Sequence, residues 1–148
     1  MNTNPAASQN IVEQARQELL ALHAAERQAH FATDADAMVA PLAESIIDVR
    51  NGDVQRITRE DKRQDFAQYF QNATYQEWDD VESPIVHVSQ DASLGWMITH
   101  VKVHRTRPDE AGVLREREFV YAGILTYEKR EGKWVCTANV STFEYLKT

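Results

Sequence analysis

Glu26 stands where an apolar side chain belongs. Ile11, Ala15, Leu19, Leu22 and Ala29 recur at helical spacing and mark one buried stripe. At roughly 100° per residue, Glu26 projects into the middle of that stripe, between the directions of Ala15 and Leu19. His23 lies about one turn before it and His30 one turn after, on the same side. A carboxylate set into an apolar face needs a partner, a pocket or water. Glu26 and His30, at i and i+4, are spaced to form a hydrogen-bonded pair, which is one way to position and tune a general base. The alternative is a helix whose end emerges from the core, so that both groups meet solvent. Both residues are candidates for ligand contact and for catalysis.

Other chemistries find less support. His100 and His104 share a strand face at a separation of roughly 13 Å, and His23 and His30 are two helical turns, roughly 10 Å, apart. Ligands to one zinc ion must all lie about 2 Å from it. His87 stands alone and no cysteine or carboxylate cluster completes a set, so neither a metal nor a cofactor is expected. There is no Gly-rich phosphate loop and no serine in a plausible nucleophile elbow. Cys136 is the sole cysteine, so no internal disulfide forms; it sits mid-strand among apolar residues and reads as a buried, inert thiol. Lys102, His104, Arg105, Arg107, Arg115 and Arg117 concentrate positive charge around one hairpin loop. Solvated strand ends account for that, with an anionic partner or dimer salt links as the alternative.

The totals bound the rest. A chain of 148 residues fits one domain with a real core, and a net charge of −7 argues against nucleic acid as partner. No apolar run reaches the roughly 18 residues a membrane span needs. Met1 to Asn10 is polar and lacks the pattern of a secretory leader, and with a lone cysteine the expected location is cytoplasmic.

The elements that must position these side chains are read from spacing and turn residues. Residues 1–9 read as a flexible tail, and Asn10 with Glu13 as a capping box opening a helix to about His30. Thr33, Asp34 and Asp36 cap a short second helix that Pro41 ends. Asn51-Gly52 joins the strand at 45–50 to the strand at 53–57, and Thr58 with Asp61 opens a third helix to about Ala73, with Phe66, Tyr69 and Phe70 on one face. The remainder is β: Tyr75 toward Val88 with Pro84 marking a break or an edge position, Leu94 to Arg105, and a closing hairpin around Glu131-Gly132. With those two as loop residues, Tyr127 faces Cys136, Leu125 faces Ala138, Gly123 faces Val140 and Tyr121 faces Thr142. Helices followed by a long antiparallel meander spell an α+β fold with helices packed on one face of a curved sheet.

Several strings carry a resemblance. Ala32-Thr33-Asp34-Ala35-Asp36-Ala37-Met38-Val39-Ala40-Pro41-Leu42, the Asn51-Gly52 turn, the third helix, and Lys129-Arg130-Glu131-Gly132-Lys133-Trp134 resemble the SnoaL-like branch of the nuclear transport factor 2-like superfamily over about residues 10–145. The resemblance implies a cone-shaped, cystatin-like sheet wrapped around the first helix, a pocket at its open end, and dimerisation through the outer sheet face. It also implies the activities found there: isomerase, hydratase or cyclase chemistry, or none. Ketosteroid isomerases of that superfamily move a proton with an aspartate on the first strand. Counting back from Asn51-Gly52, the matching position here is Val49, with Asp48 one residue away and so on the opposite face.

Alternation sorts the sheet. Met97, Thr99, Val101 and Val103 match the aromatic face of the closing hairpin and are assigned to the concave side. Trp96, Ile98, His100, Ile124, Asn139 and Ser141 are assigned to the convex side as a dimer interface, with Phe143 in the same apolar patch. The expected ligand contacts are Trp78, Met97, Thr99, Tyr121, Tyr127, Phe66 and Phe70. The sequence therefore reads as a homodimeric domain at 10–148 binding a small apolar or amphipathic molecule, with proton transfer by Glu26, Asp48 or His30 as its most compatible chemistry. The alternative is a non-catalytic association module acting through its outer sheet.

Overall fold

Side-chain caps set two of the helix starts. The computed structural model describes residues 5–147. Asp34 accepts from the amide of Ala37 at 3.0 Å and opens α2 (Ala35–Val39); Thr58 accepts from the amide of Asp61 at 3.1 Å and opens α3 (Arg59–Phe70). The first helix, α1 (Pro5–Ala32), starts earlier than the Asn10 capping box suggests. Pro5 loses no hydrogen bond in a first turn, and Ala6 and Ala7 favour helix, so residues 5–9 of the expected tail are helical. Glu13 instead accepts from the side chain of Gln17 at 2.9 Å. Residues 1–4 of that tail lie outside the described residues.

Six strands follow in a curved, unclosed sheet: β1 (Leu42–Arg50), β2 (Asp53–Thr58), β3 (Thr74–Val88), β4 (Leu94–Pro108), β5 (Leu114–Arg130) and β6 (Lys133–Lys147), in the order β2-β1-β6-β5-β4-β3. Both tight hairpins have the two-residue loops expected of them. Asn51 and Gly52 lie at φ 54° and 77°, and Glu131 and Gly132 at 50° and 79°, matching the right-handed strand twist. The α3 C-terminus is covered from β4: Arg105 and Arg107 each donate to the carbonyl of Tyr69 at 3.4 Å. Much of the basic cluster is thereby spoken for, since Arg115 holds Asp109 at 2.9 Å and Lys102 holds Glu118 at 3.3 Å.

Helix α1 packs into the concave side of the sheet. Leu19 is wholly buried against Met97, Tyr127, Trp134 and Cys136. Gly95 permits that approach, because a Cβ there would lie 3.0 Å from the Leu19 side chain. On β4 the alternation holds: Met97, Thr99, Val101 and Val103 are buried and Trp96, Ile98 and His100 face outward, half-exposed.

The closing hairpin departs from simple counting. Tyr127 does pair with Cys136, but Thr126 then pairs with Ala138, leaving Thr137 as an extra residue on β6. This is a β-bulge, held by Thr126 and Thr137 hydroxyls 2.8 Å apart. Beyond it, the expected pairs Leu125–Ala138, Gly123–Val140 and Tyr121–Thr142 give way to Leu125–Asn139, Gly123–Ser141 and Tyr121–Phe143. One extra residue turns every following side chain to the other face. Asn139 and Ser141, assigned to the convex interface from the sequence, line the concave interior, and so does Phe143; Val140 is left outside at 38 % exposure.

Candidate functional site

Between α1, α3 and the wide end of the sheet lies a cavity of about 420 Å³. Its walls are aromatic, with Trp78 from β3, Phe119 and Tyr121 from β5, Phe143 from β6, and Phe66 and Tyr69 from α3. Set into them are Glu26, His30, Asp48, Lys62, Asn139 and Ser141, while Arg50, Asn51, Asp65, Arg117 and Tyr145 also line it.

Glu26 reaches the cavity from α1 as its position in the apolar stripe suggests. It is half-buried, and its exposed part lines the cavities rather than the outer surface. Burial raises its carboxyl above the ordinary range, and the nearby His23 offsets this in part. Among the described residues its carboxylate accepts no hydrogen bond. His23 is otherwise engaged, its Nε2 lying 2.7 Å from an Asp80 carboxylate oxygen.

His30 does not pair with the Glu26 carboxylate. Its Nδ1 donates to the Glu26 backbone carbonyl at 2.8 Å, the nearest acceptor one helical turn back, which leaves the ring lone pair on Nε2. The ring is buried, stacked 4.9 Å from Trp78 and edge-on to Tyr75 and Phe70. Burial pushes its pKa down to about 4, against the carbonyl bond that favours the proton, so His30 is neutral at pH 7.

Asp48 faces inward, contrary to the opposite-face expectation. The burial alternation on β1 runs Ile46 and Asp48 in, Val49 half-exposed, and Asp48 pairs laterally with Asn139 on β6. It is 4 % exposed and accepts from Lys62 Nζ at 3.1 Å; Arg50 lies 3.9 Å away. Lys62 went unnoticed in the sequence, although it precedes Phe66 by one helical turn and so shares its inward face.

Tyr121 donates to the Asn139 side-chain carbonyl at 3.4 Å. Burial, and next the neighbouring Glu26, raise its pKa, which keeps the hydroxyl a donor. Gly123 makes room for it, since a Cβ there would lie 2.8 Å from the Tyr121 hydroxyl and 2.5 Å from the Val140 carbonyl. Tyr121, Trp78 and Phe66, among the ligand contacts expected from the sequence, line this cavity. Met97, Thr99 and Phe70 line neither this cavity nor the second one described next: all three are packed in the core, at 0 %, 2 % and 4 % exposure. Tyr127 lines a second cavity of about 490 Å³ on the other side of Glu26, walled chiefly by aliphatic residues with Trp134 and Cys136. No group of three metal-binding side chains is found among the described residues, and no helix there is long and apolar enough to cross a membrane.

A curved sheet, antiparallel except where β1 runs parallel to β6, wrapped around one long helix with a cavity at the open end, decides the architecture when set beside solved structures. An NTF2-like protein with a cystatin-like fold from Novosphingobium aromaticivorans superposes with a TM-score of 0.64 at 17% identity, over 95% of this chain and 88% of that one. This is the nuclear transport factor 2-like fold. A ketosteroid isomerase-like protein from Erwinia carotovora atroseptica shares it (TM-score 0.61, 12% identity, 89% and 96% of the two chains). So does a putative Ca/calmodulin-dependent kinase II association domain from Exiguobacterium sibiricum (TM-score 0.62, 13% identity, 100% and 98%). At these identities the likeness concerns the fold alone. No protein-family model matches the sequence, and no curated protein does.

Proposed function

We propose that the chain binds a small, largely apolar carbonyl compound in the aromatic cavity and moves a proton on it, as a SnoaL-like domain of isomerase, hydratase or cyclase type. The observation that carries this reading is Glu26, a carboxylate at the cavity wall with no hydrogen-bond partner among the described residues. A base whose pKa is raised by its surroundings takes a proton more readily once ionised, and an unpartnered one is free to reach a ligand. In the proposed step Glu26 removes a proton from the carbon next to the carbonyl, and the bonding electrons pass into the enolate. The Tyr121 hydroxyl and the Lys62 ammonium are the donors that stabilise the developing oxyanion. Asp48, tied to Lys62, orients that ammonium. Neutral His30 and Trp78 supply a flat wall for the ligand body.

The test is exchange of the α-protons of a panel of cyclic and aryl ketones in D2O, followed by proton NMR. The protein accelerates exchange for members of the panel, and Glu26→Gln lowers the rate by about 10²-fold or more. Unchanged exchange in Glu26→Gln removes Glu26 as the base.

A second reading concerns the convex face and is favoured by its residue pattern. Val54, Val49, Val140, Ile124, Ile98 and Ile85 lie in one lateral row across all six strands. Trp96 lies two residues along β4 from Ile98, and His100 flanks the row two residues on its other side. A continuous aliphatic band on an outer sheet face suits a symmetric homodimer, and two proteins of similar structure are named as association domains. Ile124→Asp should convert a dimer into a monomer in sedimentation analysis; a monomeric parent chain eliminates this reading.

A further inference from the structure

The second cavity abuts the first. The two share Glu26, Lys62 and Asn139, with Met38 and Phe66 between them. Three polar side chains thus stand at a junction with apolar space on both sides: aromatic rings toward Trp78, and Leu22, Leu42, Leu125 and Trp134 in the other direction. Each cavity is of a volume that takes a ring with substituents. The first cavity carries further polar side chains, Ser141 among them, whereas in the second the charged side chains besides the shared ones are Glu18 and Lys133. Met38, an unbranched thioether at the partition, is a side chain that adapts its shape at little cost.

We infer that one ligand occupies both cavities: a molecule with a hydrogen-bonding centre of carbonyl type at Glu26, Lys62 and Asn139 and two apolar arms, one in each cavity. This rests on the proposal above that the first cavity binds a small carbonyl compound, and extends it to the shape of the substrate. The polar centre faces the junction because there its oxygen meets Lys62 and Asn139 beside Glu26, donors it loses among the aliphatic walls of the second cavity. The arms supply affinity through apolar burial, and the junction fixes which atom lies beside Glu26.

The three tryptophans separate the outcomes. Trp78 lines the first cavity, Trp134 the second, and Trp96 lies on the outer face. The full chain labelled with 5-fluorotryptophan gives one fluorine resonance for each, assigned by single Trp→Phe variants. The probes are 1,3-diphenyl-2-propanone, which has two arms, and cyclohexanone, which has none. The two-armed ketone should move the Trp78 and Trp134 resonances with one common saturation curve and leave Trp96 in place. It should bind about tenfold or more tighter than cyclohexanone. Leu42→Phe, which fills the second cavity, should weaken the two-armed ketone about tenfold and leave cyclohexanone unchanged. Leu22→Phe repeats the block from α1 should Leu42→Phe fail to fold. Movement of Trp78 alone, with no effect of either filling variant, overturns the two-arm inference and leaves the first-cavity proposal standing. No movement of Trp78 or Trp134 with either ketone overturns both.

Discussion

Removing Lys62 while leaving Asp48 isolates what their pairing does for the folded state. The two side chains are 5% and 12% exposed, with 3.1 Å between Nζ and the carboxylate oxygen. At an effective dielectric constant near 20 the attraction at that distance is about 5 kcal/mol, and withdrawing both ions from water takes most of it back. The pair as a whole is therefore close to neutral for stability, but either ion alone carries its desolvation cost uncompensated. Removing one partner of a buried pair costs about 3–5 kcal/mol. Arg50, 3.9 Å from Asp48 and half-exposed, stays behind as a weaker cation, so Lys62→Met belongs at the low end, about 3 kcal/mol. The double variant Lys62→Met, Asp48→Leu removes both charges and should return to within about 1 kcal/mol of the parent. Urea unfolding followed by circular dichroism, with unchanged slope between variants, gives these differences directly. A loss under about 0.5 kcal/mol for Lys62→Met, or a double variant as unstable as the sum of its singles, refutes the buried-pair reasoning.

His30 makes stability pH-dependent. Its folded pKa is about 4 against an ordinary 6.5, so below pH 6.5 the unfolded chain takes the proton first. Its contribution is present above about 6.5 and is lost as the pH falls through about 4, to a total of roughly 3 kcal/mol. Urea midpoints at pH 7 and pH 4.5 should diverge in the parent and converge in His30→Leu, and the imidazole proton shifts should stay flat from pH 7 to pH 5. A native titration midpoint near 6.5 contradicts the buried placement. Cys136 is 2 % exposed and its thiol is pushed up to about 12 by burial. It should ignore Ellman's reagent at pH 8 in the folded protein and react fully in denaturant; prompt reaction of the folded chain places it elsewhere.

Most of the architecture was legible because it is written locally. Asn51-Gly52 and Glu131-Gly132 announce their turns through the φ they adopt, and Thr58 announces α3 through one hydrogen bond. The β4 alternation reads correctly because a regular strand has a fixed period of two. Glu26 was visible because a charge in an apolar stripe is a conflict within a single helix. The errors arose where the answer depends on a neighbouring strand. The bulge at Thr137 is a pairing event between β5 and β6, invisible to counting from the turn, and it moved Asn139, Ser141 and Phe143 to the interior. Asp48 was misplaced by counting from the Asn51-Gly52 end; the apolar Ile46, two residues earlier, carried the right parity. Met97 and Thr99 share the concave side with the cavity walls, but facing inward does not distinguish a wall from a packed core.

The bulge on β6 bears on how such a cavity changes between lineages. Substituting a wall residue by residue passes through intermediates in which some polar groups are buried without partners. Loss of the bulge with Thr137 retained, so that β6 pairs by simple count, would instead exchange Asn139, Ser141 and Phe143 for their sequence neighbours in one event. At identities of 12–17% to chains of like fold, a gap placed one position off along this strand aligns an interior residue with an exterior one. Position-by-position comparison of the final strand is then informative only after the bulges of both chains have been superposed.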